Sequence, residues 1–196
     1  ISFDLQNPLV HKWIQDHTGE LITQVTDETR NAVKDIMTRS FNEGMHPRQS
    51  AKLIKSIVGL TQRQAGAVAN FRERLLRDGA SAEFVEKKTS RYAVKLLKYR
   101  SEMIARTETL RASNMGQYYL WQQAEEKGLL NASRTRRVWI ASSNPCPICA
   151  SLNGQTVGFR EMFSDEQSGP QAPIITSTLV PPRHPNCLPG DALISA

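Results

Sequence analysis

The chain is poor in the residues that usually do chemistry. Its 196 residues include three cysteines, four histidines and only 7% aromatics. Three cysteines cannot all pair, which argues against a disulfide scaffold, and no signal peptide is read ahead of them; a reducing compartment is the expectation. No uncharged apolar run reaches the ~18 residues that a membrane-spanning helix takes. A phosphate-binding glycine loop, a Ser/His/Asp set and an open three-ligand metal site are all lacking, so an enzyme is the weakest class. Also missing is a basic strand face interleaved with aromatics, the pattern that stacks single-stranded bases. The first residue is isoleucine rather than methionine, so the chain is expected to begin inside a longer reading frame.

What is present fits a folded protein of one domain or two small ones. Hydrophobic residues make up 39% and charged residues 22%, a globular balance with enough apolar content for a real core. A net charge of +6 and a pI near 9.4 favour acidic partners, nucleic acid among them. A mildly basic, solvated surface is the plainer account of the same excess.

Helical periodicity runs through the first two thirds. Pro8 to Asp16 is a short amphipathic piece carrying Leu9 and Trp13. From Glu20 to Asn42 the positions Leu21, Ile22, Val25, Val33, Ile36, Met37 and Phe41 step by three and four. Ser50 to Val58 carries Leu53, Ile54, Ile57 and Val58. Thr61 and Gln64 form a capping box opening a helix to about Arg77, with Val68, Phe71, Leu75 and Leu76 facing inward. Ser81 starts a further turn or two. The longest pattern spans Ser90 to Lys127, with Gly116 marking a bend or a close approach. Helices joined by short turns cover one another's apolar faces, and a helical bundle over residues 1–130 follows.

The long helix carries Lys87, Lys88, Arg91, Lys95, Lys98, Arg100, Arg106 and Arg111 against Glu102 and Glu108. A solvated face is one reading. The functional one is a basic rim, with Lys95, Lys98, Arg100 and Arg111 as candidates for binding nucleic acid or an acidic partner.

Residues 131–187 read differently. Val138-Trp139-Ile140 is β-prone, Leu152-Asn153-Gly154-Gln155 has turn chemistry, and Thr156 to Phe159 reads as a second strand, followed by a loop over 164–182. So small a β unit has almost no core and needs a staple. Cys146-x-x-Cys149 and His184-x-x-Cys187 bracket it, and three sulfurs with one imidazole make a full tetrahedral shell for structural zinc. The long insert between the pairs exceeds the usual finger spacing. Ordinary buried or redox-active cysteines beside a loop histidine are the alternative. The fold class is therefore mainly α, a bundle whose long helix leads into a small zinc-clasped β/loop module.

Residues 95–109, Asn114-Met115-Gly116-Gln117, Arg137-Val138-Trp139, Cys146-Pro147-Ile148-Cys149, Leu152-Asn153-Gly154 and Pro181 to Cys187 together resemble the phage head morphogenesis family of Mu F-type minor head proteins. Gly59 to Ala65 is similar too. The resemblance covers roughly residues 50–187. It implies a minor capsid component of the virion, assembled in the bacterial host cytoplasm. Its implied partners are portal, major capsid or scaffold proteins and DNA, with no membrane. It also strengthens the zinc reading and carries no catalytic role for Arg106 or Glu108, for which a buried Arg–Glu pair is expected. After Cys187 the family pattern stops. Cys187-Leu188-Pro189-Gly190-Asp191 and the rest of the tail, 188–196, resemble the opening of an intein, which would make Cys187 a splicing nucleophile once the missing blocks follow. A zinc-stabilised nucleic-acid-binding module is the competing function.

Overall fold

The computed structural model describes residues 7–164 and 177–195. Five helices come first: α1 (Pro8–His17), α2 (Asp27–Asn42), α3 (Pro47–Lys55), α4 (Gln62–Arg77) and α5 (Ala82–Glu126). The C-terminal module follows with β1 (Thr135–Ile140), α6 (Pro147–Leu152), β2 (Thr156–Gly158), β3 (Phe163–Ser164), β4 (Ser177–Thr178) and β5 (Gly190–Ser195).

Helix α5 is the axis of the molecule. Ser81 caps it by accepting from the Phe84 N–H, and nothing in its 45 residues breaks it. At ~1.5 Å per residue it is ~68 Å long. The turn expected at Ser81 and the helix expected from Ser90 are thus one element, which passes through Gly116 without interruption and ends before Gly128 in the left-handed region (φ +69°). Its middle packs α1, α2 and α3 around Val10, Ile14, Val33, Met37, Ile54, Ile104, Ala105, Ala112 and Met115.

Helix α2 starts later than its periodicity suggests. Thr26 is the N-cap, accepting from the Thr29 N–H at 3.2 Å. Leu21 and Ile22 are buried, but from a loop rather than from a helix. Gly19 and Gln24 take positive φ there, and the Arg30 guanidinium donates to the Gly19 and Ile22 carbonyls. Helix α4 does use the Thr61–Gln64 capping box, with both reciprocal bonds formed. It has no fully buried residue, and Leu76 is exposed. The expected inward stripe is only half covered, because α4 packs on the N-terminal half of α5 as a two-helix arm.

In the module β1 is the central strand, antiparallel to β2 through Arg137↔Val157 and to β5 through Arg137↔Leu193. Residues 190–195, part of the stretch set apart as a tail, therefore pair along the whole length of β1. Strands β3 and β4 form a second, two-stranded sheet, so two short strands fall within the segment expected to be loop; its residues 165–176 lie outside the described ones. The module's small core is Trp139, Cys149, Leu152, Val157 and Phe163.

Candidate metal centre

Two tight backbone turns present the four ligand-type side chains. Cys146 is the N-cap of α6: its sulfur accepts from the Cys149 N–H at 3.4 Å, and Pro147 occupies the first helical position, where its missing N–H costs nothing. Cys149 sits one turn on, buried against the module core. His184 and Cys187 come from the loop between β4 and β5, which turns at Asn186 with φ +67°. Asparagine tolerates that left-handed conformation better than most residues.

The four side chains converge. Their ligand atoms all lie within 4.8 Å of one another. His184 Nε2 is 3.0 Å from Cys146 Sγ, 3.1 Å from Cys187 Sγ and 3.8 Å from Cys149 Sγ, and the Cys146 and Cys187 sulfurs are 3.4 Å apart. A zinc tetrahedron with Zn–S near 2.3 Å and Zn–N near 2.0 Å has edges of ~3.8 Å between sulfurs and ~3.5 Å between sulfur and nitrogen. These four edges fall within about 0.5 Å of those values, and no edge of the cluster exceeds 4.8 Å. His184 Nδ1 lies 3.0 Å from the Pro185 carbonyl, which can only accept. Nδ1 therefore carries a proton, which leaves Nε2, the nitrogen facing the sulfurs, as the atom that would ligate a metal once deprotonated.

The electrostatics fit the same group. The Cys187 thiol is pushed up to about 12, first by its hydrogen bond with Cys149 and then by burial. His184 is raised to about 9, chiefly by its hydrogen bond with Cys187, against the opposing effect of burial. Protons in so crowded a set hold the sulfurs and the ring by hydrogen bonds alone. A divalent cation of thiolate preference would replace those protons and satisfy all four atoms at once.

Residues of the long helix hold this clasp in place. Asn186 donates its backbone N–H to Thr107 Oγ1 at 3.0 Å and its side-chain amide to the Tyr99 hydroxyl at 3.3 Å, and it accepts from Arg106. Asn114 Nδ2 donates to the Pro181 carbonyl at 2.9 Å and to that of Pro189 at 3.3 Å. Arg137, fully buried on β1, donates to the carbonyls of Leu179 and Glu161 and to Asp191 Oδ2 at 3.1 Å, with its guanidinium over Tyr118 of α5.

Two of the proposed binding residues are corrected. Arg100 and Arg111 are buried, at 2% and 5% exposure. Arg100 donates to the Gly59 and Thr23 carbonyls at 2.6 Å each. Arg111 pairs with Glu20 at 2.6 Å and Glu108 at 3.3 Å and donates to the His17 carbonyl. Positions 100, 104, 108, 111 and 115 share one helical stripe, so these arginines fall in phase with Ile104 and Met115. The expected Arg106–Glu108 pair is corrected too: Glu108 is buried against Arg111, while exposed Arg106 reaches Asn186. Lys95 and Lys98 are exposed, as a binding face requires. Sequence reasoning read the helix but missed the basic face of α3, whose Arg48, Lys52 and Lys55 line one groove with Lys98 and Arg106. Their i, i+4, i+7 spacing was the available signal.

No helix among the described residues is long and apolar enough to cross a membrane. A sequence model of the family described as Phage Mu protein F like protein matches residues 31–188. Comparison with curated proteins and with solved structures gave no match.

Proposed function

Because the chain belongs to the Phage Mu protein F-like family, a family of phage head morphogenesis proteins, we propose that it is a minor capsid component acting beside the portal during head assembly or DNA packaging. The observation that carries this is the reach of the match, from α2 through the clasp. The residues of the resemblance on α5 and β1 are also the ones that fasten the C-terminal module to the helices. Portal, major capsid or scaffold proteins are the partners, the virion is the destination, and the host cytoplasm is where assembly takes place.

Zinc is the cation that suits three thiolates and one imidazole. Cys146, Cys149, His184 and Cys187 would hold it, and four protein ligands leave no position for a substrate. Its contribution would be a cross-link between α6 and the β4–β5 loop, in a module whose buried apolar cluster, among the described residues, is five side chains.

The resemblance of residues 187–196 to an intein opening extends this reading. With the remaining splicing blocks downstream, the Cys187 thiol would attack the Asn186 carbonyl, forming a thioester as the Asn186–Cys187 peptide bond breaks and the Cys187 amine is freed, and the cysteine restored after splicing would complete the ligand set. A reading frame that continues into those blocks supports it. A frame without them leaves 190–195 simply as the third strand of the sheet.

The test is co-expression of the tagged chain with the portal, scaffold and major capsid proteins of its phage. Retention on portal-containing particles supports the assembly role. Recovery only as a free complex with nucleic acid favours the second reading, a zinc-stabilised nucleic-acid-binding module, for which the basic residues of α3 and α5 speak.

A further inference from the structure

We propose that the groove between α3 and α5 is a binding site for the sugar–phosphate backbone of DNA. This deepens the packaging side of the assembly reading and rests on it. The groove encloses about 850 Å³ and is lined by Arg48, Lys52 and Lys55 on α3 and by Lys98 and Arg106 on α5, with Glu102 as the one carboxylate. Five cations against one anion leave an excess of four, and that anion is already engaged, 3.8 Å from Lys98.

The arrangement is a built row rather than scattered charge. On α3 the three cations repeat at i, i+4 and i+7, on one face, so they extend ~10 Å along the axis at ~1.5 Å per residue. Lys98 and Arg106, eight residues apart on α5, extend ~12 Å on the other side of the groove. Two lines of positive charge flanking a channel fit a strand that carries one negative charge per ~3.4 Å of its axis. An acidic protein surface has no such regular spacing and would have to supply carboxylates in register with both rows.

The groove also adjoins the metal clasp. Arg106 reaches across to Asn186, which lies between His184 and Cys187, so one cation of the site is oriented by the loop that carries two ligands. Local charge steering by α3 and α5 does not need the buried Arg100 and Arg111, which the helical bundle has already engaged.

The experiment measures affinity of the full chain for a fluorescent DNA duplex, and separately for the same single strand and for a poly-glutamate peptide, across a salt series. Arg48→Ala/Lys52→Ala is compared with Lys87→Ala/Arg91→Ala, an exposed pair on the arm. The expected result is at least ~10-fold weaker DNA binding for the groove variant, with the slope of log K against log salt smaller by about 2, since each phosphate contact contributes ~0.9. The arm variant keeps its affinity and slope. Equal loss in both variants, or none in the groove variant, overturns the site; so does tighter binding of poly-glutamate than of either DNA. A groove variant that loses DNA binding yet still joins portal-containing particles separates this site from the assembly role. Loss of particle association by the unaltered chain counts against the assembly reading alone.

Discussion

The backbone N–H of Asn186 donates to the hydroxyl of Thr107 at 3.0 Å, joining the loop that carries His184 and Cys187 to the middle of a 45-residue helix. Two parts of the chain almost eighty residues apart meet there, and the clasp takes its position from the helix. Thr107 is itself buried, so its oxygen has no water to fall back on. Thr107→Val keeps the shape and leaves the Asn186 N–H without its acceptor. It is expected to cost about 0.5–1.5 kcal/mol, the net worth of one hydrogen bond whose donor sits on an exposed residue, and to speed amide exchange in residues 181–189 more than in α1–α3. Urea melts with hydrogen exchange check it; exchange unchanged in the loop would show the bond to be dispensable.

Metal removal should act on one lobe. Trp139, Cys149, Leu152, Val157 and Phe163 are too few to hold the module on their own, whereas the helices share a separate and larger core. Chelation, or Cys149→Ser, is expected to raise exchange across residues 138–187 while the helical circular dichroism signal stays within a few per cent. A uniform loss of helicity would mean that the staple supports the whole chain.

The clasp was legible in the sequence because its residue types are scarce: every cysteine belongs to it. The helices were legible from their periodicity, and the capping box of α4 from Thr61 and Gln64. Where periodicity misled, local hydrogen bonds overrode it. Leu21 and Ile22 keep the helical phase, yet the Arg30 guanidinium folds their backbone into a loop. Charge misled in another way. Arg100 and Arg111 look like surface residues, but Arg100 finds the distant Gly59 and Thr23 carbonyls, and Arg111 finds Glu108 one turn away together with Glu20 and the His17 carbonyl. Strand β5 was illegible because its partner β1 lies at least fifty residues upstream, and strand pairing across such a distance leaves no local pattern.

The Glu108–Arg111 pair lies against the α1–α2 loop, with Glu20 closing the triad and Trp13 under the guanidinium. Burial raises the Glu108 carboxyl pKa, and the positive charge of Arg111 opposes that rise. Arg111→Ala strands a buried carboxyl and is expected to cost about 3–5 kcal/mol, whereas Arg111→Met with Glu108→Gln costs much less. Thermal or urea unfolding of the single and double variants decides it. Equal loss in both would locate the cost in packing rather than in charge.

Stability should also respond to Asp191. Its carboxyl is raised to about 6 by burial, against the lowering influence of Arg137. In the unfolded chain it titrates near 3.8, so between those values the native state holds a proton that the unfolded state has released. This contribution to stability is greatest below about pH 4 and is lost as pH rises through 6, by roughly 3 kcal/mol. Asp191→Asn removes that falling slope while leaving the carbonyl bonds of Arg137 in place. Urea melts from pH 4 to 7 read it directly, and identical slopes for the two proteins would rule the carboxyl out as the source.

The central claim is that Cys146, Cys149, His184 and Cys187 share one zinc ion. X-ray absorption at the zinc edge, on protein whose metal content has been measured, tests it most directly. The account predicts about one zinc per chain, with three sulfurs near 2.3 Å and one nitrogen near 2.0 Å, and loss of that shell in His184→Ala. A fully folded protein without zinc, or a shell dominated by oxygen, would contradict it.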